Sequence, residues 1–420
     1  MKLSNFIKTL GPGILFASTA IGVSHLVQST RAGAVYGFEF VWAIAIANLL
    51  KYPFFEFASR YASATGTSII EGYQRIGKWM LWLYFLITLT SMFFVTAAVV
   101  FVTSGFLENI INLSILSDYP LASTSLLFLI CLAILISGKF NLLDSLTKII
   151  GIILLISTLI AFVLTLVKGS VIPAENFNAP DAYNVVGISF LIALMGWMPT
   201  AVDLSAWTSL WTVERIKQTG YKPSLKETLA DFNLGYILSA LLAFCFLTLG
   251  AYLVYGSEKS IPEGSVPFSK MVIELYTSSI GEWSFFLIAA AACSIMFGTA
   301  ITVLDGYSRS IEKCTKLLFL EKNNSTNTIY TISLLLLSIG AFAIIYYFHD
   351  KPKGFKGLID LATSISFLIA PIIAVANHKL VSKKFVGTAF VPKMWLHLLS
   401  ILGIVFLLGF SLFYTYNCWK

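Results

Sequence analysis

GPGILFASTAIGVSHLVQSTRAGA, residues 11–34, is apolar enough to enter a bilayer, yet it interrupts itself. Gly11, Pro12 and Gly13 open it, Gly22-Val23-Ser24-His25 stands at its centre, and Arg31 lies near its far end. Glycine and proline are the poorest helix formers, and an ionisable side chain at mid-depth is costly. The stretch predicts a helix that breaks inside a protein-enclosed cavity, because backbone groups freed by a break have no partner in lipid.

The rest of the chain supports a membrane setting. Of its 420 residues 57% are hydrophobic and 12% charged, against roughly 25% charged in soluble domains, and mean hydropathy is +0.84. The first twenty residues have the basic start and apolar run of a secretory signal, but the apolar pattern continues past any cleavage point and further spans follow, so they belong to the first span. Runs of about 20 apolar residues occur near 11–34, 38–60, 79–105, 121–138, 145–167, 183–211, 231–255, 283–308, 328–348, 355–378 and 395–417, which makes eleven spans.

With the N-terminus cytoplasmic, nineteen of the 28 Lys and Arg fall in or beside cytoplasmic loops, eight fall outside, and Lys51 lies within the second span. That bias predicts a cytoplasmic N-terminus and an external C-terminus, with a bacterial inner membrane as the default location. The net charge of +7 is spread over short loops rather than runs, so it orients the chain and leaves no nucleic-acid footprint. Cys131, Cys245, Cys293, Cys314 and Cys418 have no CxxC spacing, and neither a disulfide framework nor a zinc site is expected. Residues 169–182 and 256–282 read as external loops, the second with a short amphipathic helix over 269–276, and 212–230 as a short cytoplasmic surface helix.

Two spans stand apart. The first breaks at Gly22-Val23-Ser24-His25, and the sixth carries Met195-Gly196-Trp197-Met198-Pro199-Thr200 at its centre, where Pro199 lacks a donor and obstructs the preceding turn. Each opens a set of five spans. An odd number of helices per half forces the halves into opposite orientation, which is an inverted repeat with its two broken helices facing each other at mid-membrane. The first repeat covers about 10–168, the second about 183–380, and an additional helix about 395–417. Pro53 and Pro371, in the second and tenth spans, read as plain kinks.

The chain resembles the natural resistance-associated macrophage protein (NRAMP) family of proton-coupled divalent-metal transporters. Gly11-Pro12, Gln28, Ala32-Gly33-Ala34, Asn48-Leu49, Arg60, Ala64-Thr65-Gly66 and Met198-Pro199 carry the resemblance. It implies an all-α membrane fold of eleven transmembrane helices, a five-plus-five inverted repeat of the amino acid/polyamine/cation transporter type with helices 1 and 6 broken. It also implies a metal-ion importer. The family's metal-binding D-P-G-N falls here on Gly22, Val23, Ser24 and His25, and the histidine of its M-P-H is Thr200. The family's carboxylates in helix 3 have no counterpart in 86–102, nor its basic group in helix 9 in 328–348. The resemblance carries the scaffold, and at these four places it does not carry the chemistry.

The substrate site is expected between residues 22–28 and 195–201, drawing on Gly22, Ser24, His25, Gln28, Met195, Trp197, Met198 and Thr200. An imidazole titrates near neutrality, which makes His25 a candidate for the coupled proton. Two other readings stand beside it: a neutral ring bonded to a freed carbonyl, or a soft metal held by His25 and Met198. Asp203 ends T-A-V-D, the spacing of a capping box that would restart the sixth helix, with a cation site as the alternative. Glu56 and Arg60 are spaced for an intrahelical pair, while Lys51 either snorkels or meets a carboxylate across the bundle. Arg31 is a gate residue or a surface anchor. Asp305 and Asp360 suit ordinary pairing near span ends, and Trp79-Trp82-Tyr84 and Tyr346-Tyr347-Phe348 suit interfacial belts.

No P-loop, G-x-S-x-G, H-E-x-x-H or paired-carboxylate motif is present, so neither an enzyme nor a cofactor is expected. The expected activity is secondary active transport of a small solute or metal ion by alternating access, with protons as coupling ion. The alternatives are a carrier of a small organic or anionic solute, or a channel or non-transporting sensor on the same scaffold.

Overall fold

A computed structural model of the chain describes residues 9–111, 119, 121–137, 140–257, 261–319 and 326–418. Lys2, Lys8, Lys139, Lys259, Lys322 and Lys420, which enter the charge-bias argument, lie outside the described residues. The first span consists of α1 (Pro12–Ala20), a π-helical stretch (Val23–Ser29) and α2 (Thr30–Tyr36). It is followed by α3 (Val41–Thr65), the short α4 (Ile69–Ile76), α5 (Lys78–Ile111), α6 (Ala122–Ile136) and α7 (Phe140–Lys168). The sixth span is α8 (Val185–Gly196), a gap, then a 3-10 turn (Val202–Leu204) that runs into α9 (Ser205–Thr219). The chain continues through α10 (Leu225–Leu253), α11 (Ser265–Ile280), α12 (Phe285–Phe319), α13 (Thr326–His349), α14 (Gly354–Leu380), α15 (Lys383–Val386) and α16 (Met394–Cys418).

Among the described residues α3, α5, α10, α12, α13, α14 and α16 are long and apolar enough to cross a bilayer. The eleven expected spans map onto these seven, α6, α7 and the two broken spans. α3 and α14 run unbroken through Pro53 and Pro371.

Three expectations need correction. Residues 212–230 hold no separate surface helix: α9 continues to Thr219 and stops at Gly220, whose φ of 62° suits a residue without a side chain. α10 then starts on a capping box of Ser224 and Glu227. Residues 256–282 form more than a short amphipathic segment, since α11 runs from 265 to 280 and buries Phe268, Val272, Ile273 and Tyr276 against its neighbours. Tyr84 does not join an interfacial belt with Trp79 and Trp82; it is buried and its hydroxyl lies 3.3 Å from Ser310 Oγ. α4 was not anticipated, although Ser68 and Glu71 form the capping box that starts it.

Two sets of helices pack among themselves. α5, α6, α12 and α13 pack on one another, while the first span, α3, the sixth span and α10 form a second bundle. Within that bundle the first span and α10 cross at very short range. A Cβ on Gly235 would stand 1.9 Å from Gly13 O, and one on Gly250 would stand 2.3 Å from Thr30 O. Asp231 fastens the same contact, its carboxylate accepting from Gly11 N at 3.2 Å and Gly13 N at 2.7 Å at the start of α1, where a negative charge is favoured. Small residues allow this approach, as in other membrane helix pairs. Gly235→Ala should therefore cost about 1–3 kcal/mol by overpacking, seen as a lower melting temperature of the detergent-purified chain. Gly409→Ala, inside α16 with no atom within 4 Å of the added carbon, should not lower it.

Candidate functional site

α1 ends at Ala20, and Gly22 adopts φ −129° and ψ −128° before the π-helical stretch begins. A Cβ on Gly22 would come within 2.7 Å of the Thr299 methyl on α12, whose hydroxyl donates to Ser18 O at 2.7 Å. Ser24 stands just past the gap, in the first turn of the π-helical stretch. Its Oγ lies 2.6 Å from Ala20 O, 3.2 Å from Pro199 O and 2.7 Å from His25 Nδ1. His25 is fully buried and its Nε2 lies 2.8 Å from Ser239 O on α10. A carbonyl only accepts, so Nε2 carries the proton.

This arrangement ties the Ser24 hydroxyl to the charge on His25. When the Ser24 proton points at His25 Nδ1 the ring is neutral. When it points at a carbonyl, Nδ1 must itself donate and the ring is an imidazolium. One hydroxyl proton serves one acceptor at a time, so the Ser24–Pro199 contact is made only when Ser24 does not donate to His25.

In the sixth span α8 ends at Gly196, the Met198-Pro199 peptide is cis, and helix resumes only at Val202. Trp197 Nε1 donates to Ser366 Oγ on α14 at 2.8 Å. Lys51 neither snorkels nor pairs directly with a carboxylate: it has no exposed surface and its Nζ donates to Met195 O at 2.6 Å and Gly196 O at 2.8 Å. Those carbonyls are the ones the break leaves without helical donors. The T-A-V-D capping box is not formed either. The restart begins after Ala201, which offers no side-chain cap, and Asp203 Oδ1 is buried with no hydrogen-bond partner among the described residues.

The Ser24–Pro199 contact joins the two breaks directly. Around it lies a narrow cavity lined by Ser24, Trp197, Thr200 and Thr299 together with Val95 and Val99 of α5, with room for about one water. Of the anticipated site residues, Ser24, Trp197 and Thr200 line it. His25 faces α10 instead, both nitrogens held, and Met198 is buried in an apolar cluster with Met195, so a soft-metal pair of His25 and Met198 is not assembled here. Among the described residues no group of three or more His, Cys, Asp or Glu side chains is placed to hold a metal ion.

Gln28 lies away from the cavity. Its Nε2 donates to Asp360 Oδ1 at 3.2 Å and its Oε1 accepts from Arg31 at 2.9 Å, while Arg31 reaches both Asp360 oxygens at 2.9 and 3.2 Å. Arg31 also stands 4.9 Å from the Phe190 ring centroid. This cluster clamps α2 to α14 and α8, so Arg31 is no surface anchor. Toward the other end Glu56 and Arg60 form the expected pair at 2.5 Å, with Arg60 also donating to Phe390 O at 3.0 Å. Tyr73, Asn377 and Ser205 link α4, α14 and α9 through bonds of 2.7 and 2.8 Å. Asp305 pairs with Arg309 at 2.8 Å within α12.

The natural resistance-associated macrophage protein-like (Nramp) family profile matches residues 13–417. The chain belongs to the Nramp family. It is 36% identical over 409 residues, 96% of its length and 91% of the other's, to the uncharacterized protein PM0681 of Pasteurella multocida. It is 21% identical over 429 residues, 98% and 89% of the two lengths, to the divalent metal cation transporter MntH of Levilactobacillus brevis. The crystal structure of a mutant manganese transporter from Eremococcus coleocola superposes with a TM-score of 0.74 at 13% identity, covering 97% of this chain and 86% of that one. The nucleobase-cation-symport-1 transporter Mhp1, in a closed conformation with bromovinylhydantoin, superposes with a TM-score of 0.56 at 12% identity over 99% and 96%.

Nramp membership makes the molecule an integral membrane protein on a secondary-transporter scaffold, not an enzyme. On that scaffold Ser239, Thr299 and Asp360 are the site neighbours that sequence reasoning missed as partners. Each acts from a different helix, on the first span at close range, and no spacing rule connects them. The Arg31–Asp360 pair can be weighed directly. The Asp360 side chain is 35% exposed, so screening should hold its coupling to about 1 kcal/mol. A thermal double-mutant cycle of Arg31→Gln and Asp360→Asn should return that value, and zero coupling would remove the clamp.

Proposed function

We propose that this Nramp-family chain carries a small organic solute, neutral or anionic, by alternating access, and that its pocket does not serve Mn²⁺ or another hard divalent ion. One observation supports this most: the two breaks meet at Ser24 Oγ and Pro199 O around a cavity whose polar lining is hydroxyl and indole. Hard divalent cations take oxygen ligands that include carboxylates, and the resemblance puts the family's D-P-G-N on Gly22, Val23, Ser24 and His25, none of which is a carboxylate. The ammonium of Lys51 on the neighbouring carbonyls adds repulsion against a dication. Helix restarts on either side point N–H groups toward the gap, which favours an anionic group on the solute.

In this reading His25, whose charge is tied to the direction of the Ser24 hydroxyl, carries the coupled proton. The Arg31–Gln28–Asp360 cluster and the Tyr73–Asn377–Ser205 network close the two ends of the pathway, and the bundle of broken spans moves against the other helices. Residues of about 10–168 and 183–380 are the two repeats, with 395–417 additional. The bacterial relatives support a bacterial plasma membrane, with the N-terminus cytoplasmic and the C-terminus outside. The divalent metal cation named for the Levilactobacillus brevis protein and the manganese named for the Eremococcus coleocola one are not carried over to this chain.

Uptake into proteoliposomes tests the reading, with Mn²⁺ measured beside a panel of small organic acids, amides and nucleobases. The expected result is no saturable Mn²⁺ uptake, and saturable uptake of an organic solute that Trp197→Ala abolishes and His25→Ala uncouples from an imposed pH gradient. Saturable Mn²⁺ uptake that survives His25→Ala and fails in Met198→Ala would overturn the substrate assignment. Flux of the solutes without saturation would overturn the carrier.

A further inference from the structure

Lys51 sits midway along α3, fully buried, and donates to Met195 O and Gly196 O at 2.6 and 2.8 Å. Its ammonium also lies 5.9 Å from the Phe367 ring centroid, within the range of a cation–π contact. The two carbonyls are the last of α8, at the negative end of a helix. In carriers with broken helices such carbonyls coordinate Na⁺ or H⁺. Here the positive charge arrives on a side chain.

A second, separate observation concerns Asp203. It stands just beyond the same gap, 2% exposed, within electrostatic reach of Lys51, and its Oδ1 has no hydrogen-bond partner among the described residues. The other groups facing it are hydroxyls: Ser91 and Tyr84 of α5, Tyr73 of α4 and Tyr307 of α12. α14 also packs against this turn, but its titratable residues Lys356, Asp360, His378 and Lys379 lie in its first two turns and its last turn. A buried ammonium or carboxylate alone costs several kcal/mol. Together, with two carbonyls and an aromatic ring, they make a neutral and already filled cation site.

We propose that Lys51 is a tethered cation: its ammonium takes, on Met195 O and Gly196 O, the place of a free monovalent cation, and Asp203 is its counter-charge. The break in the sixth span is thereby held together without any ion from solution. The inference goes beyond the transport reading and needs no substrate, so its failure would leave that reading standing.

The test is the melting temperature of the full chain in detergent, in NaCl, KCl or LiCl against choline chloride at equal ionic strength. Wild type and Lys51→Arg should melt alike in all four salts, whereas Lys51→Ala should gain about 3 °C or more in at least one alkali salt, because a ligand that binds only the folded state raises its stability. The gain should vanish in Lys51→Ala/Asp203→Asn. Stabilisation of the wild type by an alkali salt, or indifference of Lys51→Ala to all of them, overturns the proposal. If Lys51→Ala yields no folded protein in any salt, Asp203→Asn decides. Leaving the ammonium without its counter-charge must lower the melting temperature, and Lys51→Met/Asp203→Asn must recover at least half of the loss; no loss, or no recovery, overturns it.

Discussion

Backbone groups at mid-bilayer must find partners inside the protein, and the architecture around residues 20–25 and 195–203 follows from that requirement. Each break sets several N–H and C=O groups loose where water is scarce. The first is met by the Ser24 hydroxyl at Ala20 O, with Thr299 answering Ser18 O one turn before it. The second is met by Lys51 at Met195 O and Gly196 O, and Ser24 reaches across to Pro199 O. Side chains from α3 and α12 thus do what the next helical turn does elsewhere. The cavity is the small remainder that these partners leave.

That solution also divides the molecule mechanically. The first span and α10 are joined at two glycine crossings and by Asp231 at the head of α1, contacts with no slack for sliding. The polar clamps between other helices are of another kind. Arg31 with Asp360, and Tyr73 with Asn377, are polar contacts between helices, which can part and re-form at modest cost where water can replace them.

The scaffold and the lining of the cavity within it depend on different properties of the residues. The chain matches the Nramp profile over residues 13–417 and superposes on a manganese transporter over 97% of its length. The polar lining is supplied by hydroxyls, one indole and, behind them, an ammonium. Scaffold residues act through shape, and many sequences keep that shape. Site residues act through charge and donor geometry, which depend on individual side chains and not on the fold as a whole.

The sequence by itself determined the spans, because a continuous apolar run is a property of neighbours along the chain. It also determined the breaks, because Gly22 and Pro199 act on their own backbone, and the Glu56–Arg60 pair, because one helical turn joins them. Tertiary structure alone decided what met the freed groups. Nothing local in α3 says that Lys51 reaches Gly196, in α10 that Ser239 receives His25, or in α14 that Asp360 clamps Arg31 and draws Gln28 out of the cavity. These contacts join residues more than a hundred positions apart, and their partners are fixed by helix rotation and crossing depth, which packing sets across the whole bundle.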